Sequence, residues 1–283
     1  MPTMASIIDI AARMQYNHKD KRLLPGGWNM ILAVDVGNTN IVLGCIEKGE
    51  ILNIVRIQTS DRETAAEYAI KLKQVLEFYQ VDCKGFEGAI ISSVVPPVTE
   101  ALRQAIALIT GVKAVVVGPG MKTGMNIRLD DPSTLAGDLV AGSVAAMSDY
   151  GAPVIVIDMG TATTMVVVDK DRCYRGGAII PGVNLAYGAL SSGTSLLPDI
   201  AIRPPQKAIG SNTTDAMRSG AIFGTAAMLD GMIDRMEAEL GEPCALVATG
   251  GLARSIVSCC RHEIIFDDDL LLKGLWVLYQ KNK

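Results

Sequence analysis

The amino-acid sequence predicts an α/β fold of two similar halves, each a mixed sheet flanked by helices, with a cleft between them. The first observation is a hairpin pattern at residues 31–46, where two apolar strands join through a short polar turn. The second is the recurrence of this pattern at residues 154–169, which indicates an internal duplication. The third is the alternation of strand and helix patterns around both hairpins, which is typical of sheets covered by helices.

The remaining elements follow from apolar spacing. After the first hairpin, the sequence predicts a helix, a strand, a helix and a strand at residues 64–79, 88–95, 98–108 and 114–117. Later it predicts helices at 138–148 and 215–240 and a strand at 245–249, while the glycine-rich residues 176–193 receive no element. We expect an N-terminal extension with a short amphipathic helix, a first half and a second half, at residues 1–29, 30–150 and 151–283.

Composition excludes several classes of function. The chain has 283 residues, 49% of them hydrophobic, and its 26 basic and 30 acidic residues are interleaved, which argues against nucleic acid and anionic membranes as partners. Two histidines and six scattered cysteines leave little for metal clusters or histidine bases, so carboxylates must carry any acid–base chemistry. Because no apolar run reaches about 18 residues and no secretory signal pattern is seen, we expect a cytoplasmic protein.

The turn of the first hairpin carries the residues Asp35-Val36-Gly37-Asn38-Thr39-Asn40. Glycine lets the backbone approach phosphate oxygens, and the short amide and hydroxyl side chains can donate hydrogen bonds to them. Asp35 can hold Mg²⁺, directly or through water. An ordinary hairpin turn would explain one such stretch about as well, but its recurrence as Asp158-x-Gly160-Thr161 favours a phosphate site.

Gly250-Gly251 stands between a strand pattern and a helix pattern, which suits a shelf for adenosine. Together with the two hairpins it is the signature of the actin/sugar-kinase type of fold, which has duplicated ribonuclease-H-like halves and an ATP cleft between them. The other glycine-rich stretch, residues 118–124, does not have the spacing of a dinucleotide-binding or Walker motif, so we expect a loop there.

Seven stretches resemble, in the same order, motifs of the type III pantothenate kinase family, at residues 31–40, 91–96, 123–128, 157–164, 176–182, 212–213 and 249–251. The resemblance implies that ATP phosphorylates the terminal hydroxyl of pantothenate, the first step of coenzyme A synthesis. It also implies a homodimer that needs Mg²⁺ and a monovalent cation, K⁺ or NH₄⁺.

The resemblance assigns roles to individual residues. The segment that runs from Asp35 to Ile41 and Val42 would cradle the triphosphate of ATP. Asp158 would hold the monovalent cation, and Thr161 would contact ATP. Thr213 would contact pantothenate near the subunit interface.

The acceptor pocket both matches the family and departs from it. The family's general base lies in a Gly-Ala-Asp-Arg motif, and the corresponding stretch here reads Ala136-Gly137-Asp138-Leu139. Asp138 would accept the hydroxyl proton of pantothenate, although its spacing alone also fits a helix N-cap. Leu139 replaces the family's arginine, Leu129 its substrate-contacting tyrosine, and Gly142 an asparagine. The lost charge-assisted hydrogen bonds, worth roughly 1.5–3 kcal/mol, would cost about one to two decades of affinity for a carboxylate.

Three hypotheses follow from these replacements. The first is an active pantothenate kinase in which Arg128, Lys122 or another subunit supplies the missing charge. We favour it because four polar residues of the family site remain, namely Asp35, Asp138, Asp158 and Thr213. The second is a weakly active or inactive paralogue that pairs with an orthodox subunit or acts as an accessory protein. The third is a kinase for a different small alcohol.

Overall fold

The first sheet of the computed structural model, which describes residues 30–283, has five strands in the spatial order β3-β2-β1-β4-β5. Their bounds are β1 Met30–Val36, β2 Asn40–Glu47, β3 Glu50–Gln58, β4 Phe86–Ser93 and β5 Ala114–Val116. Strands β1, β2 and β3 form an antiparallel meander, whereas β4 pairs in parallel with β1 and β5 pairs in parallel with β4. The first predicted hairpin is confirmed. The extension predicted at residues 1–29 lies outside the described residues.

The second sheet repeats this plan with six strands in the order β11-β10-β7-β8-β9-β6. Their bounds are β6 Asn126–Ile127, β7 Val154–Met159, β8 Ala162–Val168, β9 Cys173–Pro181, β10 Ala245–Thr249 and β11 Ile265–Phe266. Strands β7, β8 and β9 form the antiparallel meander, and β10 pairs in parallel with β7, as β4 does with β1. The predicted duplication, with mixed sheets in both halves, is confirmed.

The helices form layers on both sheets. Their bounds are α1 Ala65–Phe78, α2 Pro96–Thr110, α3 Gly137–Tyr150, α4 Val183–Ser192, α5 Thr213–Ser219, α6 Thr225–Leu240, α7 Ala253–Val257 and α8 Leu270–Asn282. Helices α1 and α2 cover the outer face of the first sheet, and α6 and α7 cover the outer face of the second. Helices α3 and α8 pack against each other between the two sheets. Among the described helices, none is long and apolar enough to cross a membrane.

Side chains alternate along β1 between two apolar cores, one on each face of the first sheet. Leu32 and Val34 point into the core beneath α1 and α2, whereas Ile31 and Ala33 point into the core formed with α3 and α8. All four side chains are fully buried. Because both faces of β1 are covered by helices, its sequence is continuously apolar and does not alternate between polar and apolar residues. The two apolar faces fix the end of β1, and with it Asp35, at the edge of the sheet.

Several segments differ from the sequence prediction or extend it. Strand β3 was not predicted, and the glycine-rich residues 176–193 form β9 and α4. The helix predicted at residues 215–240 is divided into α5 and α6 by a π-helical turn, Gly220–Gly224. The C-terminal α8 packs on β1 and β4 of the first sheet, and β6 joins the second, so the two halves exchange elements across the boundary predicted at residue 150. That boundary stays a prediction.

Candidate active site

Each hairpin turn is closed by a hydrogen bond from the N–H of its glycine, and the first turn is one residue longer than the second. In the first turn the Gly37 N–H donates to the Asn40 carbonyl at 2.9 Å, and in the second the Gly160 N–H donates to the Ala162 carbonyl at 3.0 Å. The first turn is held from the side by Thr59, whose hydroxyl donates to the Gly37 carbonyl at 2.7 Å. Sequence reasoning missed Thr59, because it follows the unpredicted strand β3.

The tips of the two hairpins face each other. The hydroxyl oxygens of Thr39 and Thr161, which are 122 residues apart in the chain, lie 3.4 Å from each other. Both residues are exposed, as are Asn38 and Asn40 beside Thr39. The structure therefore places the predicted hydroxyl and amide donors of both halves around one point.

The other residues of the predicted triphosphate segment have apolar side chains that pack into the protein interior. Val36 and Ile41 are fully buried, and Val42 packs against the core between the sheets. The side chains of Val36 and Ile41 therefore cannot face a ligand in the cleft, and Val42 is partly buried. Any contact of theirs with phosphate would come from main-chain groups at the hairpin turn.

Two glycines let the chain pass close to the second turn. The Gly182 N–H donates to the Thr161 carbonyl at 3.1 Å, and a Cβ on Gly182 would lie 2.3 Å from that carbonyl oxygen. Gly250 has a φ of 102°, and a Cβ there would lie 2.5 Å from the Met159 carbonyl oxygen. Gly250 thus lies against the second hairpin, and exposed Gly251 follows it, where the sequence predicts the adenosine shelf.

Three carboxylates from different elements influence one another electrostatically. Burial is the main cause that raises the pKa of Asp35 to about 7, and the negative charges of Asp138 and Asp158 add to it. Burial also raises the pKa of Asp158 to about 6, again with a contribution from Asp138. Each of the three keeps some accessible surface. They therefore form one acidic site that a cation would stabilise.

Asp138 lies in the first turn of α3 and is not its N-cap. The N-cap is Ala136, whose side chain makes no capping hydrogen bond, so the alternative reading of Asp138 is wrong. Burial raises the pKa of Asp138, and the Leu139 N–H, which donates to its Oδ1 at 2.7 Å, opposes this rise. Gly137 is buried beside Ser92, which allows the helix to begin next to β4.

Comparison with known proteins identifies the family. Residues 31–235, more than half of the chain, match the family model for type III pantothenate kinase. The chain belongs to this family. Membership in the type III pantothenate kinase family supports a phosphotransferase of the kinase type, and it agrees with the motifs that surround the two hairpins.

Solved structures of low sequence identity share the fold. A protein described as a 2-dehydro-3-deoxygalactonokinase from Sinorhizobium meliloti has a TM-score of 0.55 and 15% identity, covering 88% of this chain and 96% of its own. Component A of the (R)-2-hydroxyglutaryl-CoA dehydratase from Acidaminococcus fermentans has a TM-score of 0.54 and 14% identity, covering 89% and 97%.

A third structure, described as a Baf family transcriptional activator from Campylobacter jejuni, has a TM-score of 0.52 and 18% identity and covers 89% of this chain and 98% of its own. At these identities the likeness shows the fold alone. The type III pantothenate kinase family member described here therefore has the actin/sugar-kinase architecture of duplicated ribonuclease-H-like halves.

Ser92 is a site residue of this type III pantothenate kinase family member to which sequence reasoning gave no role. It is fully buried, pairs with Asp35 across the parallel strands β1 and β4, and its hydroxyl has no hydrogen-bond partner within the protein. Although this hydroxyl does not reach hydrogen-bond geometry, it lies close enough to Asp35 to oppose the rise in the pKa of that carboxyl. Only the strand register, which the sequence does not give, reveals this pairing.

Thr213 lies in a pocket to which none of the three carboxylates contributes. It is exposed at the start of α5 and lines a pocket with a volume of about 600 Å³, whose lining includes none of Asp35, Asp138 and Asp158. Tyr187 and Met217 line the same pocket. Within one chain, the structure therefore brings together the predicted nucleotide and base residues, whereas Thr213 lines a separate pocket.

Proposed function

We propose that this protein phosphorylates pantothenate on its terminal hydroxyl with ATP, giving 4′-phosphopantothenate, the first step of coenzyme A biosynthesis. The observation that carries the proposal is the convergence of Asp35, Asp138 and Asp158 beside the paired hairpin tips. Family membership supports pantothenate as the acceptor. A cytoplasmic location stays a prediction from the sequence.

The residues present fit ATP and Mg²⁺. The glycine of each turn keeps the backbone open to phosphate oxygens, the two threonine hydroxyls can donate to them, and the buried Ser92 hydroxyl has a free hydrogen-bonding capacity beside Asp35. Within residues 30–283, no group of three or more His, Cys, Asp and Glu side chains is arranged to hold a metal by itself. This agrees with Mg²⁺, which takes one or two carboxylates and completes its shell with phosphate and water.

The cation assignments divide between two carboxylates. Asp35, at the end of β1, would hold Mg²⁺ directly or through water, and Asp158, at the matching place on β7, would hold K⁺ or NH₄⁺. When bound, Mg²⁺ neutralises negative charge on the transferred phosphoryl group. Both carboxylates have pKa values raised chiefly by burial, so a bound cation would favour their charged forms.

Asp138 would act as the general base. Its carboxylate is partly accessible, and its raised pKa makes it a better proton acceptor near neutral pH than an ordinary aspartate. In this role Asp138 accepts the proton of the acceptor hydroxyl as the oxygen of that hydroxyl attacks the γ-phosphorus. The leucine N–H that donates to Oδ1 holds the carboxylate in place and leaves Oδ2 to reach the hydroxyl.

The second subunit would complete the acceptor site. Two strongly exposed apolar residues, Leu196 and Ile209, are 90% and 83% exposed and adjoin Leu197 and Gly210, which line the same pocket as Thr213. Apolar side chains this exposed in one region favour a protein interface. We infer that this surface binds a second copy of the chain and that Thr213 contacts pantothenate from there.

The experiment is ADP release by the purified chain with ATP, Mg²⁺ and K⁺, with and without pantothenate. We expect pantothenate-dependent turnover that Asp138→Asn lowers by about 10²–10⁴-fold, because the variant lacks the base. The matched control is Asp149→Asn, an exposed aspartate on the same helix, which should leave turnover unchanged. If nucleotide binds but pantothenate releases no ADP, the proposal fails for the isolated chain, and an inactive paralogue or another alcohol acceptor becomes the better explanation.

A further inference from the structure

The surroundings of Asp138 are apolar. Leu129, Leu135 and Leu139 pack against one cluster that contains the buried Tyr174. The negative charge of Asp138 contributes to the raised pKa of Tyr174, so this cluster borders the carboxylate. An acceptor whose hydroxyl reaches Asp138 must therefore place its neighbouring atoms against leucine side chains and a tyrosine ring.

Within the described chain, the Asp138 carboxylate has no cationic partner. Among residues 30–283, no lysine or arginine contributes to the pKa of Asp138, and the one arginine that acts on Asp35, Arg56, is paired with Asp268 at 3.6 Å. A carboxylate held against the apolar cluster would lose its hydration without gaining a cationic partner from the described part of this chain.

Arg128, one residue predicted as a substitute cation, points away from the cluster. It lies next to the short strand β6, between Ile127 and Leu129, which both pack into the cluster, whereas Arg128 is exposed. Its N–H donates to the Tyr174 carbonyl at 3.0 Å, which continues the pairing of β6 with β9. Side chains alternate along a strand, so the guanidinium of Arg128 and the side chain of Leu129 lie on opposite faces.

Lys122, the other predicted substitute, lies beside the C-terminal end of α8. Its backbone N–H donates to Asn282 at 2.9 Å, and the neighbouring Lys283 pairs with Glu87 at the beginning of β4. Ser92, beside Asp35, is five residues further along that strand, roughly 16 Å from Glu87. The backbone of Lys122 is thus held toward the end of β4 that is opposite to Asp35.

We propose that the acceptor site recognises a neutral alcohol, so that uncharged analogues of pantothenate are phosphorylated at least as well as pantothenate itself. This inference rests on the proposed function and narrows its substrate class. In the reaction, the acceptor hydroxyl oxygen forms a bond to the γ-phosphorus of ATP, and the bond from that phosphorus to the β–γ bridging oxygen breaks. The electron pair of the broken bond leaves with ADP, and the hydroxyl proton passes to Asp138.

The test compares pantothenate with pantothenol, in which a hydroxymethyl group replaces the carboxylate, in steady-state kinetics at fixed ATP, Mg²⁺ and K⁺. We expect kcat/KM for pantothenol to equal or exceed that for pantothenate. Leu139→Arg, which introduces a cation beside the site, should shift the ratio toward pantothenate by about ten- to a hundredfold. Leu139→Gln, of similar length but neutral, should leave the ratio close to that of the wild type.

Each outcome decides a separate point. If the wild type prefers pantothenate by about tenfold or more, the inference is overturned while the proposed function stands. If only pantothenol is phosphorylated, the inference holds and pantothenate is replaced as the substrate. If the chain binds ATP but phosphorylates neither compound, the proposed function fails and the inference falls with it. Calorimetric binding of both compounds to the wild type gives the same comparison should Leu139→Arg fail to fold.

Discussion

Asp158 shows how one buried carboxylate links the site to stability. Its pKa is raised to about 6, first by burial and second by the charge of Asp138, whereas in the unfolded chain it would be near 3.8. The folded chain therefore holds this proton more tightly than the unfolded chain does. The stability that results is fully present below pH 3.8 and is lost as the pH rises through about 6.

We predict that Asp158→Asn stabilises the ligand-free protein above neutral pH. Removing the buried charge should raise the free energy of unfolding by about 1–3 kcal/mol, since one pKa unit corresponds to about 1.4 kcal/mol. Urea unfolding over a series of pH values would measure this, and the loss of stability between about pH 4 and pH 6 should become smaller.

The control for this prediction is Asp149→Asn, at the exposed end of α3. This variant should keep the pH dependence of the wild type, because an exposed carboxylate loses little hydration on folding. A destabilised Asp158→Asn, or one with an unchanged pH dependence, would show that Asp158 is not held in a costly buried position.

At the residue scale, the sequence predicted those site residues that occur in a repeated pattern. Asp35 and Asp158 could be found because the Asp-x-Gly pattern occurs twice at the end of a strand, and Asp138 because the family motif retains it. Ser92 and Thr59 could not be assigned roles, because these depend on cross-strand register and on a strand with weak alternation. Neither property can be read from one sequence without knowing which strands are neighbours.

At the scale of elements, the second hairpin depends on a glycine from a distant strand end. Gly250 has a φ of 102°, in the region that favours glycine, and a Cβ there would lie 2.5 Å from a carbonyl oxygen of β7. The positive φ and the close approach both disfavour any residue other than glycine at this position. The close approach keeps β10 and the hairpin together and places the predicted adenosine shelf.

We predict that Gly250→Ala destabilises the protein by about 1–3 kcal/mol or more and weakens nucleotide binding, because the β10 end must move away from the hairpin. Thermal unfolding and ADP calorimetry would measure the two effects. The control for folding is Gly251→Ala, since a Cβ at this exposed position would have no atom within 4 Å. Equal stability of both variants would contradict the packing argument.

Glycine residues also explain why the sequence did not predict β9 and the π-helical turn at Gly220–Gly224. Residues 176–193 carry glycines that weaken a strand pattern, yet Gly177 lies where a Cβ would be 1.9 Å from the Met165 carbonyl oxygen. The glycines therefore allow β9 to approach β8. In the helix predicted at residues 215–240, Gly220 begins the π-helical turn and lies against the Tyr187 hydroxyl. Tertiary contacts decide both cases, and local propensity does not show them.

At the scale of the whole molecule, the end of the chain completes the first half. Helix α8 packs on β1, β4 and α3, and Gly274 lies so close to Ala141 of α3 that a Cβ would be 1.9 Å from its carbonyl oxygen. The helix that carries Asp138 is thereby fixed between the two sheets. The sequence predicted the two halves from their hairpins, but this exchange is a long-range contact that no local pattern indicates.

The exposed apolar region around Thr213 gives the last prediction, which concerns assembly. Ile209 is 83% exposed and precedes Gly210, which lines the pocket that contains Thr213. If this surface binds a second copy of the chain, Ile209→Asp should convert a dimer into a monomer, because a charge would be buried in the interface. Analytical ultracentrifugation would measure the change.

The same variant tests whether the acceptor site depends on the dimer. In the Ile209→Asp monomer, we expect ATP to bind as in the wild type, because both hairpins belong to one chain, while acceptor turnover falls with the loss of the partner's contribution. Ile70→Asp is the control, since Ile70 is 58% exposed on α1, on the outer face of the first sheet. A dimeric Ile209→Asp would place the interface elsewhere, and a monomeric variant with full turnover would show that each chain carries a complete acceptor site.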